Sequence, residues 1–171
     1  MDRFYKEHEH GYILDIGCGN GKNVIKDASY WYELCDITDA FVAMTSSRFP
    51  QSGMCQADGI KLPYRNDVFD VTISVAVLHH LDSVVKRKAF VREMMRVLKP
   101  DGLAFLTVWA RVDDGPNDRM IPWTDPSTKE RFYRYYHLFT MDEMNTLLSE
   151  TGHNFTMYDE YNNYVCVIKK T

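Results

Sequence analysis

The sequence has no apolar run long enough to cross a bilayer, and it contains few cysteines. The four cysteines, at positions 18, 35, 55 and 166, lie far apart, which disfavours a disulfide framework or a zinc site. The charged start "MDRFYKEHEHG" lacks the pattern of a signal peptide. A net charge of −4 gives no global attraction to nucleic acid. We therefore expect free thiols in a reducing compartment, the cytoplasm first and the nucleus second, with no metal and no membrane contact.

The fold class follows from the alternation of strand-like and helix-like stretches, which is typical of a mainly parallel sheet with right-handed crossovers. The sequence predicts a single α/β domain over residues 1–171, Rossmann-like and doubly wound. Its seven-stranded sheet is expected to end in an antiparallel C-terminal hairpin. The predicted strands cover 12–16, 30–36, 54–57, 70–78 and 103–109, the predicted helices cover 20–29, 39–48, 83–98 and 140–152, and the hairpin is expected to turn at residues 162–163.

Residues 110–139 show no clear period and are predicted as one long irregular segment on the substrate side. Cations and aromatic side chains alternate there, a mixture that suits phosphate contacts and stacking on unpaired bases. A lid whose aromatic residues only cover the cofactor and the core is an equally good interpretation. The residues concerned are Lys129, Arg131, Arg134 and His137, with Trp123, Phe132, Tyr133, Tyr135, Tyr136 and Phe139.

A glycine turn follows the first predicted strand in "YILDIGCGNGKN". Gly17, Gly19 and Gly21 give the spacing GxGxG after Asp15, whereas a dinucleotide site would read GxGxxG. Glycines allow a positive φ and a close approach of the backbone to a ligand. An acid at the strand end suits a ligand that presents an amino acid rather than a diphosphate. A tight turn without a ligand is the alternative.

Two further acids close the next two predicted strands. Asp36 ends the second strand, where a carboxylate can accept hydrogen bonds from ribose hydroxyls, and Asp58 follows the third, where it can accept from an adenine amino group. Either one alone could be a solvated strand-end aspartate. Three acids at the tips of three successive strands favour a nucleoside site.

Four motifs together resemble the class I S-adenosylmethionine-dependent methyltransferases: "LDIGCGNG", "CDIT", "QADG" and "DVTISVAVLHH". The resemblance implies S-adenosylmethionine as the cofactor. Asp15, Gly17 and Gly19 would face its methionine moiety, Asp36 its ribose and Asp58 its adenine. The backbone at Val75 and Ala76 would close the methionine end. The neighbouring residues expected to complete the site are Cys18, Ile37, Ala57 and Gly59.

Within that class, "IPW", "RFYRYYHLF" and "YVCVIKK" are similar to the eukaryotic tRNA wobble-uridine carboxymethyl methyltransferases. That family esterifies 5-carboxymethyluridine in the anticodon to its 5-methoxycarbonylmethyl form, acting with a small zinc-binding activator subunit. The resemblance therefore implies tRNA and this activator as partners. Family members carry a further helical segment ahead of the first strand, whereas eleven residues precede Tyr12 here, including the basic-aromatic "DRFYK".

The acceptor side is predicted from chemistry and from the resemblance. A carboxylate acceptor is ionised near neutral pH, so it needs positioning rather than a general base. Arg134 is the candidate for holding the acceptor carboxylate, because a guanidinium offers directional donors. Tyr136, His137 and His79 are candidates for placing the base. Paired histidines such as those at 79 and 80 are more often structural.

Two surfaces and three rival functions stay open. Lys88, Arg92, Arg96 and Lys99 form a basic stripe that could touch tRNA phosphates, although a solvated helix face is the favoured interpretation. The third predicted strand should lie at a sheet edge, which could accept a strand from the activator. The rivals are a methyltransferase acting on a small metabolite, a non-catalytic cofactor-binding subunit, and a nicotinamide oxidoreductase, which the glycine spacing disfavours.

Overall fold

The structure is a computed structural model that describes residues 11–25, 29–125 and 128–171. The "DRFYK" segment lies outside these residues. The described residues form the following strands and helices, in chain order. These are β1 (Gly11–Ile16), β2 (Tyr30–Asp36), α1 (Asp39–Arg48), β3 (Gly53–Gln56), β4 (Phe69–Val75), a 3-10 helix (Leu78–His80), α2 (Val84–Val97), β5 (Leu98–Trp109), β6 (Asp118–Thr124), β7 (Arg131–His137), α3 (Met141–Ser149), β8 (Asn154–Glu160) and β9 (Asn163–Lys169).

Seven strands form one sheet in the order β3-β2-β1-β4-β5-β9-β8. The first five strands along the chain pair in parallel, and β9 and β8 pair antiparallel. The predicted doubly wound sheet with a C-terminal antiparallel hairpin is therefore confirmed. Because β1 lies between β2 and β4, the strand order reverses at β1 and β4. Ligands of such sheets bind at the carboxyl ends of the strands at this point.

The core follows from apolar strands that are covered on both faces. On one face, Leu14 and Ile16 pack in a cluster with Phe90 and Met94 of α2. On the other face, a second cluster contains Ile13, Leu34 and Ile73. Phe90 and Met94 of α2 are thus buried, and Ser83 caps this helix by accepting from the Lys86 N–H at 3.3 Å. None of the helices in the described ranges is long and apolar enough to cross a membrane.

The predicted helix over residues 20–29 is wrong for residues 20–25, which form turns, while residues 26–28 lie outside the described part of the chain. Gly19 and Gly21 adopt φ values of 53° and 72°, and a right-handed helix requires negative φ. The Gly21 N–H donates to the Cys18 carbonyl at 2.9 Å and closes a tight turn instead.

The prediction of an irregular segment over residues 110–139 is also wrong. Strands β6 and β7 pair antiparallel from Asp118 opposite His137 to Thr124 opposite Arg131, forming a second, two-stranded sheet. Pro122 argues against a strand in sequence, but a two-stranded ribbon tolerates a proline on its free edge. Aromatic and charged residues occupy both faces of the ribbon, so no period of two was visible.

Smaller differences concern the ends of elements. Tyr161 and Asn162 both adopt positive φ, 51° and 61°, so the final hairpin turns one residue earlier than predicted. Strand β4 ends at Val75, because the residues from Leu78 onward enter the 3-10 helix. The capping hydroxyl of Thr140 accepts from the Glu143 N–H at 3.2 Å, as the capping-box pattern predicts for one of its two bonds.

Candidate active site

The glycine loop after β1 is fixed to the end of β2. The N–H groups of Gly17 and Cys18 both donate to the Cys35 carbonyl, at 2.8 and 3.0 Å. A Cβ at Gly17 would stand 2.4 Å from a methyl carbon of Val77, so only glycine fits there, at φ 75°. Burial raises the pKa of the Cys18 thiol to about 12, which keeps it protonated. No cluster of His, Cys, Asp and Glu side chains in the described ranges could hold a metal ion.

The Gly19 peptide is held from both sides. Its N–H donates to Asp36 Oδ2 at 2.9 Å, and its carbonyl accepts from the Thr45 hydroxyl of α1 at 2.7 Å. A Cβ at Gly19 would meet nothing within 4 Å, so the bare backbone faces open space. Arg48, one turn further along α1, donates to the Asn20 carbonyl at 2.9 Å. The loop is therefore a rigid cradle that is open on one side.

Sequence reasoning missed Thr45 and Arg48. Thr45 is fully buried and lies 26 positions from the glycine it bonds. No local spacing connects the two residues, because the contact exists only once α1 packs beside the loop. A threonine in the middle of a helix was the one available signal, since this residue type is disfavoured there.

Asp36 uses both carboxylate oxygens on backbone groups of the protein. Besides the bond from Gly19, Oδ1 accepts from the Thr38 N–H at 2.9 Å, and the side chain is only 8% exposed. Each oxygen retains a second lone pair. The predicted contact of Asp36 with a ribose stays a prediction. The structure adds that this carboxylate shapes the loop.

Asp15 is completely buried beneath the loop, and one of its oxygens lacks a partner. Oδ2 accepts from Asn23 Nδ2 at 3.3 Å, whereas Oδ1 has no hydrogen bond within the described residues. Burial raises the pKa of this carboxyl to about 7; the hydrogen bond from Asn23 opposes the rise and the charge of Asp36 adds to it. A buried carboxyl oxygen without a partner fits a ligand that brings an ammonium group, such as the methionine moiety of S-adenosylmethionine.

The ends of β2 and β3 supply the outer side of the crevice. The Ala57 N–H donates to the Asp36 carbonyl at 3.0 Å, which places the predicted adenine segment beside the predicted ribose ligand. Asp58 is exposed, and its Oδ1 accepts from the Ile60 N–H at 3.1 Å. Ile37 is 63% exposed at the rim. An apolar side chain there is available to cover a flat ring.

The end of β4 supplies the inner side of the crevice. Ala76 adopts φ 63°, and its N–H is held by the carbonyl and the hydroxyl of Thr107, both at 3.2 Å. This turn brings Val77 against Gly17. The carboxyl edge of the sheet thus collects all the predicted cofactor residues. They are Asp15, Gly17, Cys18, Gly19, Asp36, Ile37, Ala57, Asp58, Gly59, Val75 and Ala76.

An aromatic wall stands at the carboxyl ends of β4 and β5. The Tyr136 ring is stacked on Trp109 at 4.6 Å and on His79 at 5.1 Å between centroids. The structure thus brings together two predicted acceptor-side residues, His79 and Tyr136. Trp109, which is 37% exposed, was not predicted as a site residue. Its position as the last residue of a strand at the ligand edge was the signal that could have found it.

His79 is a neutral part of this wall. The Trp109 N–H donates to His79 Nδ1 at 3.2 Å, so Nδ1 carries no proton and Nε2 carries the hydrogen. Burial and the neighbouring His80 lower the pKa of His79 to about 3. This histidine therefore packs the wall and cannot act as a cation near neutral pH.

Arg134 lies on the same face of β7 as Tyr136, because residues two apart in a strand share a face. It is exposed, and its guanidinium lies 4.1 Å above the Trp123 ring of β6. In the part of the chain that the structure describes, Arg134 has no ion pair. The guanidinium is thus available to an anionic ligand.

His137 does not join this group. It lies on the opposite face of β7, and both ring nitrogens are within 2.7 Å of carboxylate oxygens of Asp118 and Glu143. The side chain is buried. The structure gives His137 no route to a base beside Arg134, contrary to the predicted direct role.

Comparison with known proteins identifies a methyltransferase domain and related tRNA methyltransferases. A family of methyltransferase domains matches residues 14–106. The chain is similar to the tRNA (carboxymethyluridine(34)-5-O)-methyltransferase of Schizosaccharomyces pombe, with 30% identity over 180 residues, 89% of this chain and 78% of the relative. It is also similar to the enzyme of that name from Arabidopsis thaliana, with 38% identity over 117 residues, 68% of this chain but 28% of the relative. The chain thus spans only part of these relatives.

Solved structures agree on the fold. A SAM-dependent methyltransferase from Methanosarcina mazei superposes with a TM-score of 0.82 at 19% identity, covering 99% of this chain and 97% of the other. S-adenosylmethionine-bound CalS10, an amino pentose methyltransferase from Micromonospora echinaspora, superposes with a TM-score of 0.79 at 17% identity, covering 99% and 88%.

Proposed function

This chain belongs to the family of the tRNA (carboxymethyluridine(34)-5-O)-methyltransferases, within the class I S-adenosylmethionine-dependent methyltransferases, and we propose that it methylates the carboxylate of 5-carboxymethyluridine at the wobble position of tRNA. The product is the 5-methoxycarbonylmethyl ester. The family membership supports the reaction, and the geometry of the two sides of the crevice supports the residue roles.

The cradle at the end of β1 would hold the cofactor. Asp15 Oδ1 would accept from its ammonium group, the bare backbone at Gly19 would lie along its methionine chain, and Asp36 would accept from its ribose. The cofactor supplies an electrophilic methyl group on a sulfonium. The protein keeps this crevice preorganised, because the carboxylate of Asp36 and the hydroxyl of Thr45 fix the loop before any ligand arrives.

The acceptor side needs no general base, because the carboxylate of the modified uridine is already ionised near neutral pH. The histidines fit this requirement: His79 is neutral and packed, and both nitrogens of His137 bind carboxylates. The protein's contribution is alignment, which can lower the barrier by several kcal/mol. Arg134 would hold the carboxylate oxygen that does not attack, and the wall containing Tyr136 would place the base.

The observation that carries this proposal is the unpaired guanidinium of Arg134 on the face of β7 that also presents Tyr136 to the wall. A cation without a carboxylate partner is expected where the protein binds an external anion. The exposed aromatic rings of Phe132 and Tyr133, 47% and 59% exposed, extend the hairpin for stacking on anticodon bases.

Arg134→Ala tests this assignment, with methyl transfer from labelled cofactor to a carboxymethylated anticodon stem-loop as the assay. We expect turnover to fall by about ten- to a hundredfold, the usual cost of a charged hydrogen bond, with unchanged cofactor affinity. Arg65→Ala is the control, because Arg65 is an exposed cation in the segment before β4 and is assigned to neither side of the site. Equal turnover in both variants would remove Arg134 from the site.

The rival functions separate in the same assay. Transfer to carboxymethylated but not to unmodified tRNA supports the proposed reaction. Absence of transfer to any tRNA, despite cofactor binding by calorimetry, would favour a small-metabolite enzyme or a non-catalytic subunit.

We also propose that a small zinc-binding activator subunit pairs with the free edge of β3. This strand lies at the end of the sheet, and an unpaired edge can accept a strand from another chain. Exposed apolar side chains lie on α1, the helix that packs beside this strand, and just before that helix: Ile37, Phe41 and Met44 are 63%, 37% and 52% exposed. Gln56 of β3 donates to the Ile37 carbonyl at 3.1 Å, which places Ile37 beside the edge.

Co-expression with the activator tests the proposal by gel filtration. We expect a one-to-one complex with the wild-type chain and its loss with Met44→Asp. Val85→Asp is the control, because Val85 is 77% exposed on α2, away from β3. A complex that survives Met44→Asp but not Val85→Asp would place the partner elsewhere.

A further inference from the structure

His137 lies between two carboxylates from different elements. Its Nδ1 lies 2.7 Å from Asp118 Oδ1 of β6, and its Nε2 lies 2.7 Å from Glu143 Oε1 of α3. An ionised carboxylate can only accept, so both ring nitrogens must donate. A histidine that donates from both nitrogens is an imidazolium. The His137 side chain is only 5% exposed and the Asp118 side chain is 64% exposed, so solvent is excluded from the ring but reaches the Asp118 carboxylate.

The surrounding charges connect this cation to a third element. Arg87 of α2 lies 3.9 Å from Glu143 Oε1 and donates to the Leu81 carbonyl at 2.9 Å. The Tyr135 hydroxyl donates to Asp118 Oδ1 and also faces Arg87. The charged and titratable groups around His137 are therefore Asp118, Glu143, Arg87 and Tyr135. Together they join the β6–β7 hairpin to the beginnings of α2 and α3.

A hydrogen bond from a neutral side chain to Glu143 reinforces the same connection. Asn117, directly before β6, donates to Glu143 Oε2 at 3.2 Å and accepts from Arg111 at 3.0 Å. Phe139 packs its ring edge-on to His137, with centroids 4.7 Å apart. The base of the hairpin thus meets α3 through Glu143, whose two oxygens serve two hairpin residues.

The pleat of β7 separates this network from the substrate side. His137 pairs in register with Asp118, and both lie on one face, whereas Arg134 and Tyr136 lie on the other. His137 fixes β7 from one face, while the opposite face of the strand carries the residues assigned to the acceptor.

We infer that His137 is a positioning residue, whose charge fixes the β6–β7 hairpin to α3 and thereby sets the positions of Arg134 and Tyr136. The inference rests on the proposed function of those two residues. It replaces the predicted direct contact of His137 with the base. The ion pairs do not touch substrate; they act through the strand.

The charge of His137 makes the stability of the β6–β7 hairpin depend on pH. Burial alone would lower the pKa of His137, but the hydrogen bonds to Glu143 and Asp118 outweigh it and raise the pKa. A histidine whose pKa is higher in the folded state stabilises the fold fully below its unfolded pKa of about 6.5. This contribution is lost as the pH rises through the folded value. The hairpin should therefore loosen on the alkaline side.

Hydrogen exchange and methyl transfer on the full chain test the inference with His137→Gln. Glutamine can donate to one of the carboxylates but carries no charge. We expect amides of residues 118–124 and 131–137 to exchange about tenfold faster or more, the cost of one charged hydrogen bond, while the central sheet is unchanged. Turnover should fall, the affinity for S-adenosylmethionine should not, and the alkaline loosening of the hairpin should vanish. Glu143→Gln should reproduce these effects. His153→Gln is the control, because among the described residues the His153 ring forms hydrogen bonds only with Thr171.

Two outcomes would overturn the inference. One is unchanged hairpin exchange in His137→Gln. The other is a neutral His137 ring at pH 7 in ¹⁵N NMR of the wild-type chain, a measurement that requires no variant to fold. Neither readout depends on tRNA methylation, so failure of the proposed function would be seen separately, as an inactive enzyme with a normally charged His137.

Discussion

The backbone N–H of Gly19 donates to Oδ2 of Asp36 at 2.9 Å, and this bond ties the glycine loop to the end of the neighbouring strand. The same carboxylate accepts from the Thr38 N–H on its other oxygen. Asp36 thus organises the backbone around it, and its predicted contact with ribose would use the lone pairs that remain.

Asp36→Ala should weaken S-adenosylmethionine binding by about tenfold or more, because it removes charge-assisted bonds to the loop as well as the predicted ribose contact. Calorimetry measures the dissociation constant directly. Asp39→Ala removes an exposed acid nearby, whose carboxylate accepts from the neighbouring Ala40 N–H, and should leave the affinity unchanged. An unchanged dissociation constant in Asp36→Ala would refute both roles of this carboxylate.

Thr45→Val should raise the dissociation constant of the cofactor by about fivefold, because a net hydrogen bond contributes about 1 kcal/mol and valine keeps the shape of threonine. The lost bond is the one from the hydroxyl to the Gly19 carbonyl. Turnover at saturating cofactor should stay at the wild-type value, since the change affects only the cradle. Thr45→Ser retains the hydroxyl and should restore the affinity; a serine variant as weak as the valine variant would point to packing instead.

Cofactor affinity should rise with pH around neutrality, because burial raises the pKa of Asp15 to about 7 and an ammonium group binds the ionised form. Below the pKa, each unit of rise in pH should lower the dissociation constant by at most about tenfold, the limit for one proton. Calorimetry in two buffers of different ionisation enthalpy should detect proton release on binding. Asp15→Asn should bind weakly at every pH, and a variant that keeps the wild-type pH profile would assign it to another group.

Ionisation of Asp15 has the opposite effect on the stability of the free chain: it favours cofactor binding but lowers the free energy of unfolding. Its pKa is higher folded than unfolded, so the folded state binds the proton more tightly. The free energy of unfolding should therefore decline as the pH rises from about 4, the unfolded value, to about 7. Saturating cofactor should reduce this decline, because it pairs with the ionised form.

Local patterns in the sequence were sufficient for the features that depend on neighbouring residues. The buried strand that contains Asp15 and the turn at Gly17 and Gly19 could be predicted, because each glycine allows the positive φ that the turn requires. The strands of the parallel sheet could also be predicted, because they too depend on patterns of neighbouring residues. The bonds from Thr45 to Gly19 and from His137 to Glu143 are not, because they arise from packing between elements whose separation no period encodes. The hairpin was missed because both of its faces carry aromatic and charged side chains.

The contacts of the basic stripe on α2 could not be predicted from the sequence either. Arg96 donates to the carbonyls of Tyr64 and Leu62 at 2.8 and 3.1 Å and forms a salt bridge with Glu93 at 2.7 Å. It braces the loop before β4, which neither the solvated-face nor the phosphate interpretation foresaw. Arg92, one turn earlier, has no hydrogen bond or ion pair to any residue in the described ranges.

Arg96→Ala should therefore lower the free energy of unfolding by about 1–3 kcal/mol, because it leaves two carbonyls without their donor and removes the ion pair of Glu93, which keeps only its bond from the Leu62 N–H among the described residues. Arg92→Ala should change it by less than about 0.5 kcal/mol, as is usual for an exposed side chain. Urea unfolding measures both. The two variants lose the same charge, so a contact with tRNA phosphates would appear as a shallower salt dependence of tRNA binding in either one. An Arg96→Ala chain of wild-type stability with a reduced salt dependence would show that this guanidinium serves the RNA and not the loop.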